Sequence, residues 1–564
     1  MPSFVHLHLH TEYSLLDGVN RIPALINKAV ETKMPAIAIS DHGVLYGAFE
    51  FWKTARENNI KPIIGCEIYV SPAEMGLKEV VDGDKYFHLL VLAKNLTGYK
   101  NLIKLVSRSH TEGFYYRPRA DKELLKQYSE GLIVTSACMG SPLGSNIVAG
   151  KEKKAIEWLK FFKETFKDDF YIELQRHYSV GTDEIDEREL KKYDFETADY
   201  IKKQAHLNKT LIKYAREYDI PLIATTDAHY LNEEDAFTQE VLFAIKDGKQ
   251  LEDPTRRKSY AGTYIKTPEQ MMIDFLDLPE AIENTVKIAE KIEDYDITYD
   301  RVQPVFFDNN KKKTKEFLDK KVFAGLQEKY SPVTAELKER VNYELKIIDD
   351  KGYNDYFLVM ADVVQYARDR DIPVSVRGSV AGSVVAFALG IINIEPISWE
   401  LYFERFLNPE RDSPPDIDLD IADIHREELL QYVTQKYGEE NVALIATFGR
   451  MKTKAAIRDV CRVMGIDLSI ADKLSKLVHI KYGRVKPIAQ MMKDDVEFAN
   501  EIKSSAKLTK MREVVENIEG MARHISTHAC GVLITPQPIT NYIAREKWRD
   551  ERDRAKARCR LRSG

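Results

Sequence analysis

The chain has 564 residues, of which 44% are hydrophobic and 30% charged, and its formal net charge is −6. This length exceeds the size at which one hydrophobic core stops growing, so about three or four domains are expected. The acidic balance excludes a uniformly basic protein, so any contact with nucleic acid must come from local patches. Five scattered cysteines, the lack of a signal peptide and the lack of an apolar run long enough to span a membrane predict a cytoplasmic protein.

Residues 1 to about 285 alternate short apolar runs with amphipathic stretches, which is typical of a parallel β/α domain. Seven runs are predicted strands: FVHLHLH, AIAIS, KPIIGCEIYV, HLLVLA, LIVTSA, FYIEL and PLIATTD. Metal-ligand residue types gather at or just after the C-terminal ends of these strands. His88 is the exception, because it stands at a strand start. In β/α barrels these ends form the active-site rim, so the clustering predicts one site.

The ligand-type residues of this region form pairs and a mixed donor set. His8 and His10 share one strand face, and Asp227 and His229 form a second pair two residues apart. Imidazole, carboxylate and thiolate donors together suit zinc, manganese or iron better than magnesium. Each residue alone is also compatible with a structural role, and Cys138 with a small buried hydrophobe. Four further histidines are interpreted as structural: His6, His110, His177 and His206.

The segments HLHLHTEYSLLDG, SDHG, GCE, TSACMGSPL and TTDAHY, in this order, resemble the motifs of the PHP (polymerase and histidinol phosphatase) family. The resemblance implies a distorted (β/α)7 barrel with a multinuclear site for Zn²⁺, Mn²⁺ or Fe. It implies the metal ligands His8, His10, Asp17, His42, Glu67, His88, Cys138, Asp227 and His229. Family members hydrolyse phosphoesters with metal-activated water, and in some replicative polymerases the domain is a 3′→5′ exonuclease. In other polymerases the site has decayed to a scaffold, but the full ligand set here favours activity.

The stretch DIPVSVRGSVAGSVVAFALG predicts a strand, a Gly/Ser-rich turn and a helix of small residues. Its two Gly-Ser pairs, 378–379 and 382–383, allow the backbone to approach a ligand closely, and the helix N-terminus favours an anion. Arg377 adds donors for phosphate. Such a turn is also typical of an ordinary tight connection. Upstream, KKKTKEFL is predicted to be a solvated linker, with a domain boundary near residues 285–310.

Downstream of the turn, Asp416, Asp418 and Asp420 occupy alternate positions in PPDIDLDI. In a strand the three carboxylates share one face, and the intervening apolar residues fill the other. Like charges this close raise one another's pKa unless a cation relieves them, which a divalent metal does best. The alternative is a solvated edge strand that uses charge to discourage aggregation.

The segments RGSVAGS, LYFERFLNPERDSPPDIDLDI, ATFGRMKTKAAIRDVCRVMG and ISTHACGVLITP resemble the catalytic core of the C-family DNA polymerases, the replicative polymerases of bacteria. With the PHP motifs, the resemblance covers residue 3 to about 543 and indicates the shorter alpha-subunit type. It implies a nucleotidyltransferase-like (polymerase beta-like) palm interrupted by a helical thumb. The expected domains are PHP at 1–285, palm at 286–447, thumb at 448–525, an incomplete returning palm segment at 526–544 and a tail at 545–564.

The resemblance also implies the parts of a polymerase site. Asp416 and Asp418 would be the catalytic carboxylates holding two Mg²⁺ ions, with Asp420 supporting them from nearby. The triphosphate would contact Arg377, Gly378, Ser379, Ser383, Lys454 and Arg458. For the last two, on a basic predicted helix, a solvated surface is the alternative. The implied partners are primer-template DNA and deoxynucleoside triphosphates. In the full-length family they include the sliding clamp, the clamp loader and a proofreading subunit, although the clamp-binding region is not expected in this chain.

Two departures from the family pattern matter. The chain reads PVSVRGS where the family usually has a Gly-Pro-Gly run before the Arg-Gly-Ser. The family's third catalytic aspartate is expected downstream of HACGVLITP, but after PITNYI the sequence becomes Arg-dense and loses apolar periodicity. We interpret this end as aberrant, with disorder from about residue 545 and little or no nucleotide addition; a natural basic tail for nucleic acid is the alternative. A stand-alone PHP phosphatase of small phosphomonoesters and a non-catalytic DNA-binding or assembly fragment remain competing hypotheses.

Overall fold

The computed structural model describes residues 3–178, 181–307, 310–411 and 414–547. Most of the segment expected to be disordered, from about residue 545, lies outside the described residues, which end at residue 547. The chain forms two compact units. The first comprises Met1–Thr298, Ala446–Thr527 and Thr540–Gly564, and the second comprises Tyr299–Ile445 and His528–Ile539. Within the described ranges, none of the helices combines the length and the apolar character that crossing a bilayer requires.

The first unit is built on a seven-stranded sheet flanked by helices. Its strands are β1 (Ala36–Ile39), β2 (Lys61–Val70), β3 (Phe87–Ala93), β4 (Arg119–Ala120), β5 (Leu132–Thr135), β6 (Phe170–Gln175) and β7 (Leu222–Thr225). The helices that accompany them are α1 (Ile22–Glu31), α2 (Ala48–Glu57), α3 (Leu96–Thr111), α4 (Lys122–Gln127), α5 (Pro142–Val148), α6 (Glu152–Phe166), α7 (Glu187–Leu190), α8 (Phe195–Glu217), α9 (Ala236–Asp247), α10 (Pro268–Asp274) and α11 (Pro279–Lys291). Several of these helices begin with a side-chain cap. At the start of α8, for example, the Asp194 side chain accepts a hydrogen bond from Thr197 N.

The sheet is not wholly parallel, which corrects the expectation of a parallel β/α domain. Its order is β1-β2-β3-β5-β6-β7, with β4 beside β2. Strand β3 runs antiparallel to both of its neighbours, whereas the other pairings are parallel. The reason lies in the connection: residues 71–86, between β2 and β3, contain no helix. Without a crossover helix, the chain returns in the opposite direction.

The first predicted strand, FVHLHLH, is not a regular strand. It forms an isolated parallel bridge between Leu9 and Ala228. Its backbone nevertheless contacts both edges of the sheet: Ala38 N donates to His6 O at 2.9 Å beside β1, and Ala228 N donates to His8 O at 3.2 Å beyond β7. This segment therefore links the first and last strands of the sheet order, which places His8 and His10 between them.

Residues 448–525, expected to form a thumb, fold as helices that pack on α9. They are α17 (Thr453–Val463), α18 (Leu468–Leu477), α19 (Ile488–Asp494), α20 (Val496–Lys503) and α21 (Ala506–Ile518), with a small hairpin of β11 (Ile480–Lys481) and β12 (Arg484–Val485). Ile457 and Val460 of α17 share a buried cluster with Val241 and Leu242 of α9. This shared core explains why the helices belong to the first compact unit.

The second unit contains α12 (Lys311–Lys329), α13 (Ala335–Asp350), α14 (Asn354–Arg368), α15 (Val384–Ala388) and α16 (Arg426–Tyr437). The segment KKKTKEFL is not a linker but the first part of α12, because Thr314 and Leu318 are buried and Leu318 joins the core of this unit. Gly325 fits α12 against α15, since a Cβ there would clash with the Ala388 carbonyl oxygen.

The predicted palm contains two sheets of two strands each. Strand β8 (Val374–Arg377) pairs antiparallel with β9 (Asp418–Ile421), and β10 (Val442–Arg450) pairs with β13 (Ala522–Ile534). Leu419 and Ile421 of β9 pack with Val532 and Ile534 of β13 over a core from α14 and α16. The apolar face of PPDIDLDI is thus covered, and its acidic face is turned away from that core.

Candidate metal centre

Seven of the nine predicted metal ligands converge in the first unit. They form three groups in which the ligand atoms lie within 4.8 Å of one another. The groups are His10, His42 and His229; His8, His10 and Asp227; and His42, Glu67 and His88. The ends of several strands of the sheet therefore meet at one place, as their positions in the sequence predict.

The direction of β3 explains the position of His88. In a parallel barrel, a residue at a strand start would lie at the opposite end from the other ligands. Because β3 is antiparallel, its start lies beside the C-terminal half of β2, where His88 pairs in register with Tyr69. The His88 Nδ1 atom is 3.0 Å from Glu67 Oε1.

The carboxylate of Glu67 lies at the centre of the cluster and is 1% exposed. Its Oε2 is 2.5 Å from His42 Nδ1 and 3.5 Å from His10 Nε2, and its Oε1 is 3.5 Å from His8 Nε2. Although burial raises the pKa of Glu67, His88 and His42 hold that pKa well below its usual range. The residue therefore offers a buried anionic bridge between several imidazoles.

Five buried ligand atoms in this cluster lack a hydrogen-bond partner among the described residues. They are His8 Nε2, His10 Nε2, His42 Nδ1, Glu67 Oε2 and Asp227 Oδ1. Close approaches exist, such as 3.1 Å from His10 Nε2 to Asp227 Oδ1, but none has hydrogen-bond geometry. Buried polar atoms left unpaired are costly, and here they are all metal-donor atoms pointed at one space. The donor set therefore fits a cluster of divalent metal ions.

Glu173 is a buried partner of the site that the motif analysis missed. Its Oε1 accepts from His8 Nδ1 at 2.7 Å and from the Thr225 hydroxyl at 2.6 Å. Gln175 Nε2 adds a third bond at 2.9 Å. A carboxylate on the far nitrogen fixes the ring orientation of a ligating histidine. The available signal was a single acid inside the otherwise apolar strand FYIEL.

The remaining two predicted ligands, Asp17 and Cys138, lie beside the three groups rather than in them. Asp17 Oδ2 is 2.6 Å from Lys246 Nζ, and Arg257 reaches Asp17 Oδ1 at 3.3 Å. Although burial raises the pKa of Asp17, the Lys246 charge holds it well below its usual range. Cys138 Sγ lies 3.6 Å from Glu67 Oε1, and burial raises the pKa of this thiol. It must lose a proton to act as a ligand.

Three of the histidines interpreted as structural have protein partners. His6 Nε2 lies 2.9 Å from Lys266 O, His110 Nε2 lies 2.8 Å from Gly43 O, and His177 Nδ1 lies 2.7 Å from the Tyr200 hydroxyl. Burial lowers the pKa of His177 to about 4, so its ring is neutral at neutral pH. His206 is exposed on α8.

In the second unit, Asp416 and Asp418 are exposed, and Asp416 precedes β9. In the part of the chain that the structure describes, neither belongs to a group with metal-ligand spacing. Both lie near Tyr356, whose pKa rises to about 12 through burial and the Asp416 charge. Asp420 accepts from Arg377 Nη2 at 2.7 Å across the β8–β9 pair. The predicted phosphate donor Arg377 is thus paired with the predicted supporting carboxylate.

Ser383 differs most from its predicted role as a triphosphate ligand. It is 0% exposed, its hydroxyl donates to Glu344 Oε2 at 2.9 Å, and it caps α15 by accepting from Ala386 N. The amides of Val384 and Val385 also donate to the Glu344 carboxylate, at 3.1 and 3.0 Å. A buried internal anion therefore occupies the helix N-terminus that was expected to bind phosphate.

The other predicted phosphate-contacting residues remain accessible. Gly378 has φ +97° and open space where a Cβ would be, and Ser379 is exposed. Lys454 and Arg458 lie on α17 of the first unit, where Arg458 Nη2 is 3.0 Å from Asp472 Oδ1. This exposed ion pair fits the alternative in which Arg458 belongs to a solvated surface. Lys454 is half-buried.

Two family models match the chain. The PHP domain model matches residues 6–177, and the model described as the bacterial DNA polymerase III alpha NTPase domain matches residues 316–558. The chain is 43% identical over 549 residues to a DNA polymerase III subunit alpha of Borreliella burgdorferi, covering 96% of this chain and 45% of that relative. Relatives of the same name from Aquifex aeolicus and Thermus aquaticus are 38% and 36% identical, with 96% of this chain and 48% of each relative covered.

The chain therefore spans about half the length of these curated relatives. Among solved structures, an amidohydrolase from Chromobacterium violaceum matches with 12% identity over 31% of this chain and 86% of that one. Its TM-score of 0.19 is too low to support an argument about the fold.

Proposed function

Because this chain belongs to the family of bacterial DNA polymerase III alpha subunits, we propose that it acts in DNA replication and carries a metal-dependent phosphoesterase site in its PHP domain. The observation that carries the proposal is the set of five unpaired buried donor atoms around Glu67. Without a bound cation these atoms keep ion-pair contacts but have no hydrogen-bond partner among the described residues, which carries a desolvation cost. The substrate class that follows from the family is a DNA strand, shortened from its 3′ end.

The proposed ligands are the seven clustered residues, with Asp17 and Cys138 at the edge of the cluster. Zn²⁺, Mn²⁺ or Fe suits the mixed imidazole and carboxylate donors. When bound, such ions supply an activated water and neutralise charge on a phosphoryl oxygen. Glu173 holds the His8 ring with Nε2 turned toward the cluster, and Ser14, 3.1 Å from His10 Nδ1, does the same for His10.

The experiment is hydrolysis of a 5′-labelled single-stranded deoxyoligonucleotide with Mn²⁺, compared between wild type and His8→Ala. We expect stepwise shortening in the wild type and a hydrolysis rate at least about 100-fold lower in the variant. A proposed direct metal ligand should matter more than a residue that only orients a ligand. His206→Ala is the matched control, since that histidine is exposed on α8. Shortening that survives in His8→Ala would show that another site or a contaminant is responsible.

The same protein preparation distinguishes the two competing hypotheses, a stand-alone phosphatase of small phosphomonoesters and a non-catalytic DNA-binding fragment. A stand-alone phosphatase would hydrolyse a phosphomonoester faster than the oligonucleotide. A non-catalytic fragment would bind primed DNA in a salt-dependent way and hydrolyse nothing with any metal.

We further propose that Asp416 and Asp418 contribute to nucleotidyl transfer with Mg²⁺, and that Arg377, Gly378 and Ser379 approach the triphosphate. The support is the exposure of both aspartates at one end of β9, beside the open Gly378 turn. Ser383 would act only indirectly, by holding α15. Lys454 and Arg458 remain proposed phosphate contacts on α17.

Primer extension on a singly primed template with Mg²⁺ and all four deoxynucleotides tests this second site. We expect little extension by this chain, and we expect that extension to be lost in Asp418→Asn; extension that Asp418→Asn retains would contradict the proposed role of the two aspartates. Robust extension that is lost in Asp418→Asn would instead establish a competent site. The sliding clamp, the clamp loader and a proofreading subunit remain proposed partners of the full-length members of the family.

A further inference from the structure

A loop beside the metal centre carries a cation and an aromatic ring on the same short stretch. Residues 255–263 form this loop and lie between α9 and α10. At one end Arg257 reaches Asp17 Oδ1 at 3.3 Å, and at the other Thr263 O accepts from His229 N at 2.8 Å. The loop is therefore attached to two of the proposed ligand residues.

Tyr260 of this loop is the outer ring of an aromatic stack. Its ring lies 3.7 Å from that of Tyr200, with an angle of 14° between the planes. The Tyr200 hydroxyl lies 2.7 Å from His177 Nδ1 and accepts from Gln204 Nε2 at 3.1 Å. Tyr260 is 42% exposed, whereas Tyr200 is half-buried.

Side chains of neighbouring residues hold the backbone of the loop at Tyr260 and Ala261. Tyr260 O accepts from the hydroxyls of Tyr230, at 3.2 Å, and Thr263, at 2.9 Å. Ala261 N donates to the Tyr178 hydroxyl at 3.1 Å. Gly262 has φ +78°, and a Cβ there would clash with the His177 carbonyl oxygen. These contacts make the ring a fixed surface rather than a side chain on a free loop.

The cationic end of the loop is also ordered and accessible. The Arg257 guanidinium lies 3.5 Å from the centre of the Phe243 ring, and its side chain is 42% exposed. Lys246, on α9, places a second cation against Asp17, with its side chain 25% exposed. Two positive groups thus pair with Asp17, a predicted ligand that lies beside a cluster whose central carboxylate is anionic.

We propose that the 255–263 loop determines specificity at the PHP site by binding the terminal nucleotide of a single-stranded nucleic acid. The base stacks on Tyr260, while Arg257 and Lys246 contact the backbone phosphate next to the cluster. Base–aromatic stacking tolerates any sequence, and a nearby cation tracks the backbone. A small phosphomonoester has no base to use this surface, so the inference rests on the proposed phosphoesterase function and selects its substrate class.

The test compares Tyr260→Ala and Tyr260→Phe on two substrates with Mn²⁺: a single-stranded deoxyoligonucleotide and bis(p-nitrophenyl) phosphate, a small diester. We expect Tyr260→Ala to lower the ratio of kcat/KM for the oligonucleotide to that for the small diester by about tenfold, mainly through KM. Tyr260→Phe should keep most of the ratio, because it keeps the ring. Phe195→Ala is the control, since Phe195 is 86% exposed and lies outside the described stack.

Arg257→Gln gives an independent arm. It should weaken oligonucleotide binding and flatten its dependence on salt, because one phosphate contact is lost. An equal loss on both substrates, or no loss in any variant, would overturn the proposal.

A binding measurement separates this inference from the proposed function. In a His8→Ala background, the anisotropy of a labelled oligonucleotide should report a Kd about tenfold weaker after Tyr260→Ala. Weaker binding there supports the stacking surface even if the wild type hydrolyses nothing, which would count against the phosphoesterase function alone. Unchanged binding overturns the inference while the phosphoesterase function stands.

Discussion

The Glu344 carboxylate accepts a hydrogen bond from the Ser383 hydroxyl at 2.9 Å, inside the second unit and 39 residues away in the chain. The same carboxylate binds the amides of Val384 and Val385, and Arg340 Nε donates to it at 2.8 Å. One buried acid thus holds the end of the Gly/Ser turn, at Ser383, and the start of α15.

Replacing this acid should destabilise the unit that contains it. Glu344→Ala leaves a hydroxyl and two amides buried without an acceptor, and we expect a loss of about 2–4 kcal/mol in the free energy of unfolding. Urea unfolding followed by circular dichroism measures it. Glu339→Ala, at an exposed position of the same helix α13, is the matched control. Equal stability of the two variants would contradict the assigned role.

Removing the partner of His8 should weaken metal binding without removing a ligand. In Glu173→Gln, the amide cannot orient the His8 ring as a carboxylate does, so we expect metal affinity to fall by about 10–100-fold. Isothermal titration with Zn²⁺ or Mn²⁺ reports the change, with Glu164→Gln on the exposed face of α6 as control. If affinity is retained, Glu173 stabilises the core of the first unit and does not affect metal binding.

Metal should stabilise the first unit, because the unpaired buried donors gain a partner only in the folded state. At a metal concentration 100 times Kd, we expect about 2.7 kcal/mol of stabilisation, seen as a rise in Tm of a few degrees. EDTA should reverse the rise, and His8→Ala should reduce it. A Tm that is insensitive to metal would argue that the cluster does not bind one under these conditions.

His177 predicts a loss of stability in acid. Its folded pKa of about 4 lies below the ordinary 6.5, chiefly because of burial, so the folded state binds fewer protons than the unfolded state. Stability is then lost as pH falls below 6.5 and levels off near pH 4, by about 3 kcal/mol for this residue. His177→Asn should reduce that loss, measured as urea unfolding at each pH. His206→Asn should not, and equal profiles for all three proteins would contradict the assignment.

Much of the metal centre could be predicted from the sequence, because most of the predicted ligands stand at or just after a strand end, with His88 as the exception. His8, His42, Glu67 and Asp227 are separated by whole strand–helix units, and alternation within strands sets which side each faces. Similarly, the alternation in PPDIDLDI determined that its aliphatic residues face a core while its carboxylates face away.

Other features depended on the tertiary structure. The antiparallel β3, which brings His88 to the rim, follows from a helix-free connection whose outcome no local pattern reports. Glu173 and Glu344 read as isolated acids, because hydrogen-bond partners far along the chain are defined only when strands and helices pack. The burial of Ser383 is the clearest case. Local sequence determines that a helix begins there, but only packing decides that a side chain of the protein itself occupies its N-terminus.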